Sequence, residues 1–132
     1  MHCICSACKS KETETKNKII YVCSPYSGDI KNNVAYAQSY SRFVVEKGMI
    51  PFAPHLLLPQ YISEENERDI AMSMNKVFLS RCDELWVFGK DITPGMSEEI
   101  KESKRLRIKI RYFTKDLRKE LHNEEEYLQG RK

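Results

Sequence analysis

Four short β-prone runs alternate with three helical patterns, and this alternation constrains the chain more than any other feature of its sequence. The runs are Ile19–Cys23, Ile50–Ala53, Leu85–Phe88 and Arg107–Phe113. An apolar run bounded by turn residues reads as a buried strand. Strands that alternate with helices read as a parallel sheet with helices on both faces. The expected fold is therefore α/β, a small three-layer flavodoxin-like or Rossmann-like sheet. The third run matters most for function. Gly89 ends it, a polar loop with Pro94 and Gly95 follows, and Ser97, Glu98 and Glu99 open a helix. In open α/β sheets such strand-to-helix junctions lie at the carboxyl edge, where ligands bind.

The chain in order fills in this frame. Residues 1–18 are polar after a cysteine-rich start and read as a flexible arm. Cys3, Cys5 and Cys8, with His2, offer metal-ligand atoms, but structural zinc sites use separated pairs of ligands, so no metal is expected. The first strand breaks at the turn residues Ser24 to Asp29, and a helix is expected from about Lys31 to Lys47. Its inward face would hold Val34, Ala37, Ser41, Val44 and Val45. Pro51 places the second strand at an edge. Ser63 is placed as the cap of a helix running to about Arg81. On that helix Ile70, Met74, Val77 and Arg81 form one row and Ala71, Asn75, Phe78 and Cys82 the next. This puts Asn75 inward and Asp69 toward water. The third helix is expected from Ser97 to about Lys104. In Arg107–Phe113 cations alternate with apolar residues, as in a strand with one wet face. Residues 114–132 form a charged tail in which Leu117, Leu121 and Leu128 mark one stripe of a possible helix. Residues 19–113 are then the domain.

Composition limits the functional classes. One domain of 132 residues is large enough for a real core. A net charge of +3 is too small to argue for a nucleic-acid partner. No apolar run approaches a membrane span, and the first residues lack a signal-peptide core. Five cysteines, three of them within the first eight residues, do not suit a disulfide framework, so a cytoplasmic location is expected. No G-x-G-x-x-G follows the first strand, which argues against a dinucleotide cofactor.

Three loops converge at the expected carboxyl edge. The first carries Ser24, Tyr26, Ser27 and Asp29, the second His55, and the third Asp91, Thr93, Gly95 and Ser97. Hydroxyls and a helix N-terminus suit an anion, and a carboxylate beside a sugar can attack its anomeric carbon. Each feature also has a plainer reading. Carboxylates in a first helical turn are favoured by the macrodipole alone. Ser-Pro and Ser-Gly are turn punctuation. Tyr21 in a buried strand reads as packing.

Tyr21–Tyr26, Pro54–His55, Cys82–Gly89 and Gly95–Ile100 together resemble the nucleoside 2-deoxyribosyltransferase superfamily, in particular its small bacterial and phage branch. The superfamily also holds N-glycosidases of deoxynucleoside 5′-monophosphates. The resemblance implies cleavage or transfer at the N-glycosidic bond of a nucleoside or nucleoside 5′-monophosphate. It places the nucleophile on Glu99, the tyrosine that orients it on Tyr21, a phosphate-binding hydroxyl on Thr93, and the histidine after the second strand on His55. Asn75 and His55 would contact the base or sugar. Ser24, Tyr26, Asp91, Thr93, Gly95 and Ser97 would hold the rest of the substrate. No metal or organic cofactor is implied, and a homo-oligomer is. One departure stands out. The family places an aspartate where this chain has Asn75, and an amide cannot act as a general acid. A nucleotide-binding module without catalysis is therefore the rival expectation.

Overall fold

The computed structural model describes residues 17–63, 65–89, 91–116 and 120–121. The cysteine cluster at Cys3, Cys5 and Cys8 and most of the tail lie outside these. β1 (Ile19–Cys23) is buried from its second residue onward. It pairs in parallel with β2 (Ile50–Phe52) on one side and β3 (Glu84–Val87) on the other. β4 (Lys109–Phe113) continues the parallel sheet beside β3. The strand order is β2-β1-β3-β4-β5, so β2 is an edge strand, as Pro51 requires. β5 (Glu120–Leu121) pairs antiparallel with β4. At these two residues the tail is extended, where a helical stripe was expected. The open edge of β4 offers backbone N–H and C=O groups that an extended segment satisfies and a helix cannot.

Strand alternation divides the core between two faces. Ile20 and Val22 of β1, with Trp86, Phe88 and Phe113, pack against Tyr40 and Val44 of α1 (Ile30–Glu46). Tyr21 and Cys23, with Leu85, Val87 and Tyr112, pack against Leu79 of α2 (Arg68–Ser80) and Met96 and Ile100 of α3 (Pro94–Leu106). The three layers are thus α1, the sheet, and α2 with α3. β4 departs from the expected single wet face. Its last two residues, Tyr112 and Phe113, are buried on opposite faces, and the Arg111 guanidinium lies 4.8 Å from the centre of the Trp86 ring.

The helices differ in detail from their sequence expectations. On α1, Tyr40 takes an inward position, and Val45 is 45% exposed. Ser63 does not start α2. Its hydroxyl accepts from the Asn66 amide and its own amide donates to Glu67 Oε1, closing a separate turn before Arg68. Two 3₁₀ turns, Pro54–Leu56 and Leu58–Gln60, fill the loop before it. On α2 the inward residues are Ala71, Asn75 and Leu79, whereas Ile70 and Val77 are more than half exposed. The buried stripe therefore runs beside the expected Ile70 row, and it keeps Asn75 inside. Asp69 is exposed, as its position on the helix predicts. α3 begins three residues earlier than expected, because Thr93 caps it and Pro94 suits its first position.

Candidate active site

The site follows from the strand order. β1 and β3 are neighbours, but the chain leaves them in opposite directions, toward β2 and toward β4. Such a switch point opens a crevice beyond the strands' carboxyl ends. Gly89 helps to keep the crevice narrow. Its φ is +109°, and a Cβ there would lie 3.0 Å from Pro25 Cδ, so the loops after β1 and β3 can run side by side.

A cavity of about 190 Å³ opens in this crevice. Glu99 forms part of its wall and is only 8% exposed. α3 brings it there. Gly95, Met96 and Glu99 line one stripe of the helix toward the cavity and the sheet, and Ser97 and Glu98 turn outward. The Tyr21 hydroxyl, fully buried in β1, donates to Glu99 Oε2 at 2.7 Å. Alternation along β1 puts Cys23 on the same side, where its thiol lies 4.0 Å from the Met96 carbonyl oxygen. Burial pushes the Glu99 carboxyl up to about 7, against the lowering effect of hydrogen bonds from Tyr21 and Cys23. Burial, reinforced by the Glu99 charge, likewise raises the Tyr21 phenol and the Cys23 thiol well above their ordinary ranges. Tyr21 therefore stays protonated and remains a donor to the carboxylate.

The opposite wall is aromatic. Tyr26 and His55 stack with ring centroids 5.0 Å apart and planes 26° apart. His55 Nε2 lies 2.8 Å from the Ser24 carbonyl oxygen, which only accepts, so this nitrogen carries the hydrogen. Asn75 closes the chamber from α2. It is 8% exposed, and its Oδ1 has no hydrogen-bond partner among the described residues. A buried acceptor left open toward a cavity is matched when a ligand supplies a donor.

The structure therefore gathers Glu99, Tyr26, Asn75, His55, Thr93 and Gly95 around one cavity, with Tyr21 directly behind Glu99. It does not bring Ser24, Asp91 or Ser97 into that wall. Ser24 is buried, with its hydroxyl outside the cavity, and orients His55 through its backbone carbonyl. It follows Cys23, so strand alternation turns its side chain off the Glu99 side. Asp91 is exposed and lines an adjoining hollow with Gly89 and Lys115. Ser97 is exposed because the early start of α3 places it one turn inside the helix on the outer face. Thr93 has two uses. Its Oγ1 accepts the Met96 amide at 3.2 Å as the helix cap, and its hydroxyl hydrogen remains available to a ligand.

Sequence reasoning missed Arg68, Met72 and Leu58, which also line the cavity. Arg68, Met72 and Asn75 recur at four- and three-residue steps, so a stripe drawn from Asn75 toward the N-terminus finds the first two. Leu58 belongs to an irregular turn and has no such signal. Among the described residues, no group of three or more His, Cys, Asp or Glu side chains is placed to hold a metal. Among them, too, no helix is long and apolar enough to cross a membrane.

The fold has a relative among solved structures. A 2-deoxyribosyltransferase from the psychrotolerant bacterium Bacillus psychrosaccharolyticus is similar, with a TM-score of 0.56 and 19% identity, over 73% of this chain and 72% of that one. Similarity at that identity shows a shared α/β architecture. No curated protein matches the sequence. The profile described as "Domain of unknown function (DUF7768)" matches residues 18–113, from the residue before β1 to the last residue of β4, and the chain accordingly belongs to the DUF7768 family.

Proposed function

We propose that the chain cleaves or transfers at the N-glycosidic bond of a nucleoside or nucleoside 5′-monophosphate, with Glu99 as nucleophile. The observation that carries this reading is a buried carboxylate in a cavity wall, held by a tyrosine hydroxyl at 2.7 Å. The shared fold with a 2-deoxyribosyltransferase supports it. In the ionised form Glu99 has Oε1 for attack while Oε2 is held by Tyr21. Oε1 bonds to the anomeric carbon as the bond from that carbon to the base nitrogen breaks. The base leaves with the bonding electrons and takes up a proton. Water, or a second base, then attacks the same carbon from the vacated side and releases Glu99, so configuration is retained. Tyr26 and His55 flank the base. His55, a cavity-lining residue held at the Ser24 carbonyl oxygen through Nε2, is the proposed source of that proton. A homo-oligomer belongs to this reading, and the exposed Ile70 and Val77 of α2 suit its contact face.

The test is a panel of nucleosides and 5′-monophosphates, with released base followed by chromatography. Base release is expected from the wild type and is expected to fall at least 10³-fold in Glu99→Gln, in line with the loss of a nucleophile. Release that survives unchanged in Glu99→Gln removes Glu99 from the role. Sedimentation of the same samples reads the oligomeric state. One observation favours a second reading, nucleotide binding without turnover: position 75 carries an amide, which binds a base but transfers no proton. Saturable binding of a panel member with no base released over hours would select that reading.

A further inference from the structure

We infer that Cys23 is a positioning residue for Glu99: its thiol is a second donor beside the Tyr21 hydroxyl, and these two side chains on one face of β1 together hold the carboxylate where it attacks. The inference rests on the glycosidic reading above and deepens it. Residues two apart on a strand share a face and lie about 7 Å apart. Tyr21 and Cys23 stand in this relation beneath α3, and both are fully buried. Met96 and Glu99, three residues apart, lie on the helix stripe above them. The Tyr21 hydroxyl meets Glu99 Oε2, and the Cys23 thiol lies 4.0 Å from the Met96 carbonyl oxygen, in the turn that leads to Glu99. A thiol has one hydrogen to give, and a carboxylate is a stronger acceptor than a carbonyl already used inside a helix.

The surroundings are mainly apolar. Leu85 and Val87 of β3 pair with Tyr21 and Cys23, and Leu79, Met96 and Ile100 belong to the same cluster. Packing alone is served there by any small apolar side chain, whereas the charged form of a buried carboxylate is held by donors. Other titratable groups stand around Glu99. Tyr26, His55 and Arg68 line the cavity with it, Lys76, Glu98 and Glu102 line the cleft between α2 and α3, and Cys82 packs against the cluster from the end of α2. Beside burial, however, the groups that shift its carboxyl are the two from β1. Burial, followed by the Glu99 charge, keeps the Cys23 thiol well above its ordinary range, so it stays protonated as a donor and is no nucleophile itself.

Cys23→Ala and Cys23→Ser separate a donor from a filler, because the two replacements have nearly equal volume and differ by a hydroxyl. The first readout needs no substrate: Glu99 is titrated in the free protein by carboxyl-carbon NMR. Its midpoint is expected about half a pH unit or more higher in Cys23→Ala than in the wild type, and no higher in Cys23→Ser. The second readout is base release under conditions where urea denaturation shows each variant folded. Cys23→Ala is expected to lose about tenfold in kcat with little change in KM, and Cys23→Ser to recover most of that loss. A mere filler gives the reverse order, since a hydroxyl is the poorer guest in an apolar cluster. Equal midpoints in the wild type and Cys23→Ala, or equal losses of kcat in both variants, overturn the inference. Absence of base release by the wild type counts against the glycosidic reading, and the NMR midpoints then decide by themselves whether Cys23 holds Glu99.

Discussion

Burial and hydrogen bonding act on Glu99 in opposite directions. Burial dominates and raises the carboxyl to about 7, and the bonds from Tyr21 and Cys23 limit the rise. A raised carboxyl is a stability statement. Between pH 4.5 and about 7 the folded chain holds a proton at Glu99 that the unfolded chain has released. Stability therefore falls as pH rises through this window, and the loss is complete above it. Glu99→Gln has no such proton to lose. Relative to the wild type, the variant is expected to gain on the order of 3 kcal/mol between pH 4 and pH 8. Urea denaturation at a series of pH values reads this directly, and a constant difference across the series contradicts it. Tyr21→Phe removes a bond to the ionised form and is expected to move the window to higher pH. At this scale the sequence was partly legible. Helical periodicity turns Asn75 inward, as the structure has it, because Asn75 lies in the middle of α2, and it turns Asp69, in the first turn, outward as well. Ser24, Asp91 and Ser97 lie outside the cavity wall for different reasons: Ser24 follows β1 on the alternate side of the strand, Asp91 is exposed in the loop after β3, and Ser97 lies on the outer face of α3 once that helix starts at Pro94.

Element boundaries in turn depend on caps. α3 starts at Pro94 rather than Ser97 because Thr93 accepts the Met96 amide, while the Thr93 amide lies 3.5 Å from Met96 Sδ. In sequence, Thr93-Pro94 reads as part of a loop, although a hydroxyl residue followed by proline is also a helix-start signal. The shift positions the site, since it determines that Gly95, Met96 and Glu99, rather than Ser97, face inward. Thr93→Ala is expected to cost about 1 kcal/mol of stability through loss of the cap. Thr93→Ser is expected to cost only a fraction of that, and chemical denaturation compares the two. α2 shows the same dependence. Ser63 has the composition of a cap, but Ser63 and Glu67 close their own turn. The strands are easier to read, because β1 and residues Leu85–Val87 of β3 are continuous apolar runs that are buried on both faces of the sheet.

At the scale of the whole molecule, the sheet separates two tasks. The α1 face is aromatic and contributes nothing to the cavity beside Glu99. Tyr40 stacks on Phe88 at 4.6 Å between ring centres, and Phe43 meets Trp86, Phe88 and Phe113 edge-on. The opposite face carries Tyr21 and Cys23 beneath α3 and its Glu99. β1 serves both faces by alternation, so its residues report on stability and chemistry by turns. Packing defects on the two faces should then have different consequences. Val44→Ala, in the fully buried α1 layer, is expected to cost about 2 kcal/mol. Its base-release rate per folded molecule is expected to match the wild type, because the cluster that Val44 packs in contains no residue that lines the cavity. Ile100→Ala leaves a cavity in the cluster that holds Tyr21 and Cys23 and is expected to cost about 3 kcal/mol. There Tyr21, which holds the Glu99 carboxylate, loses a member of its packed cluster, and a small displacement of a reacting group is enough to slow a positioned reaction. Base release by Ile100→Ala is accordingly expected to fall about tenfold or more under conditions where the variant is fully folded. Denaturation curves and base-release rates on the same two preparations decide the matter. Equal kinetic losses in both variants would mean that the sheet transmits packing changes across its thickness and does not keep the two faces apart.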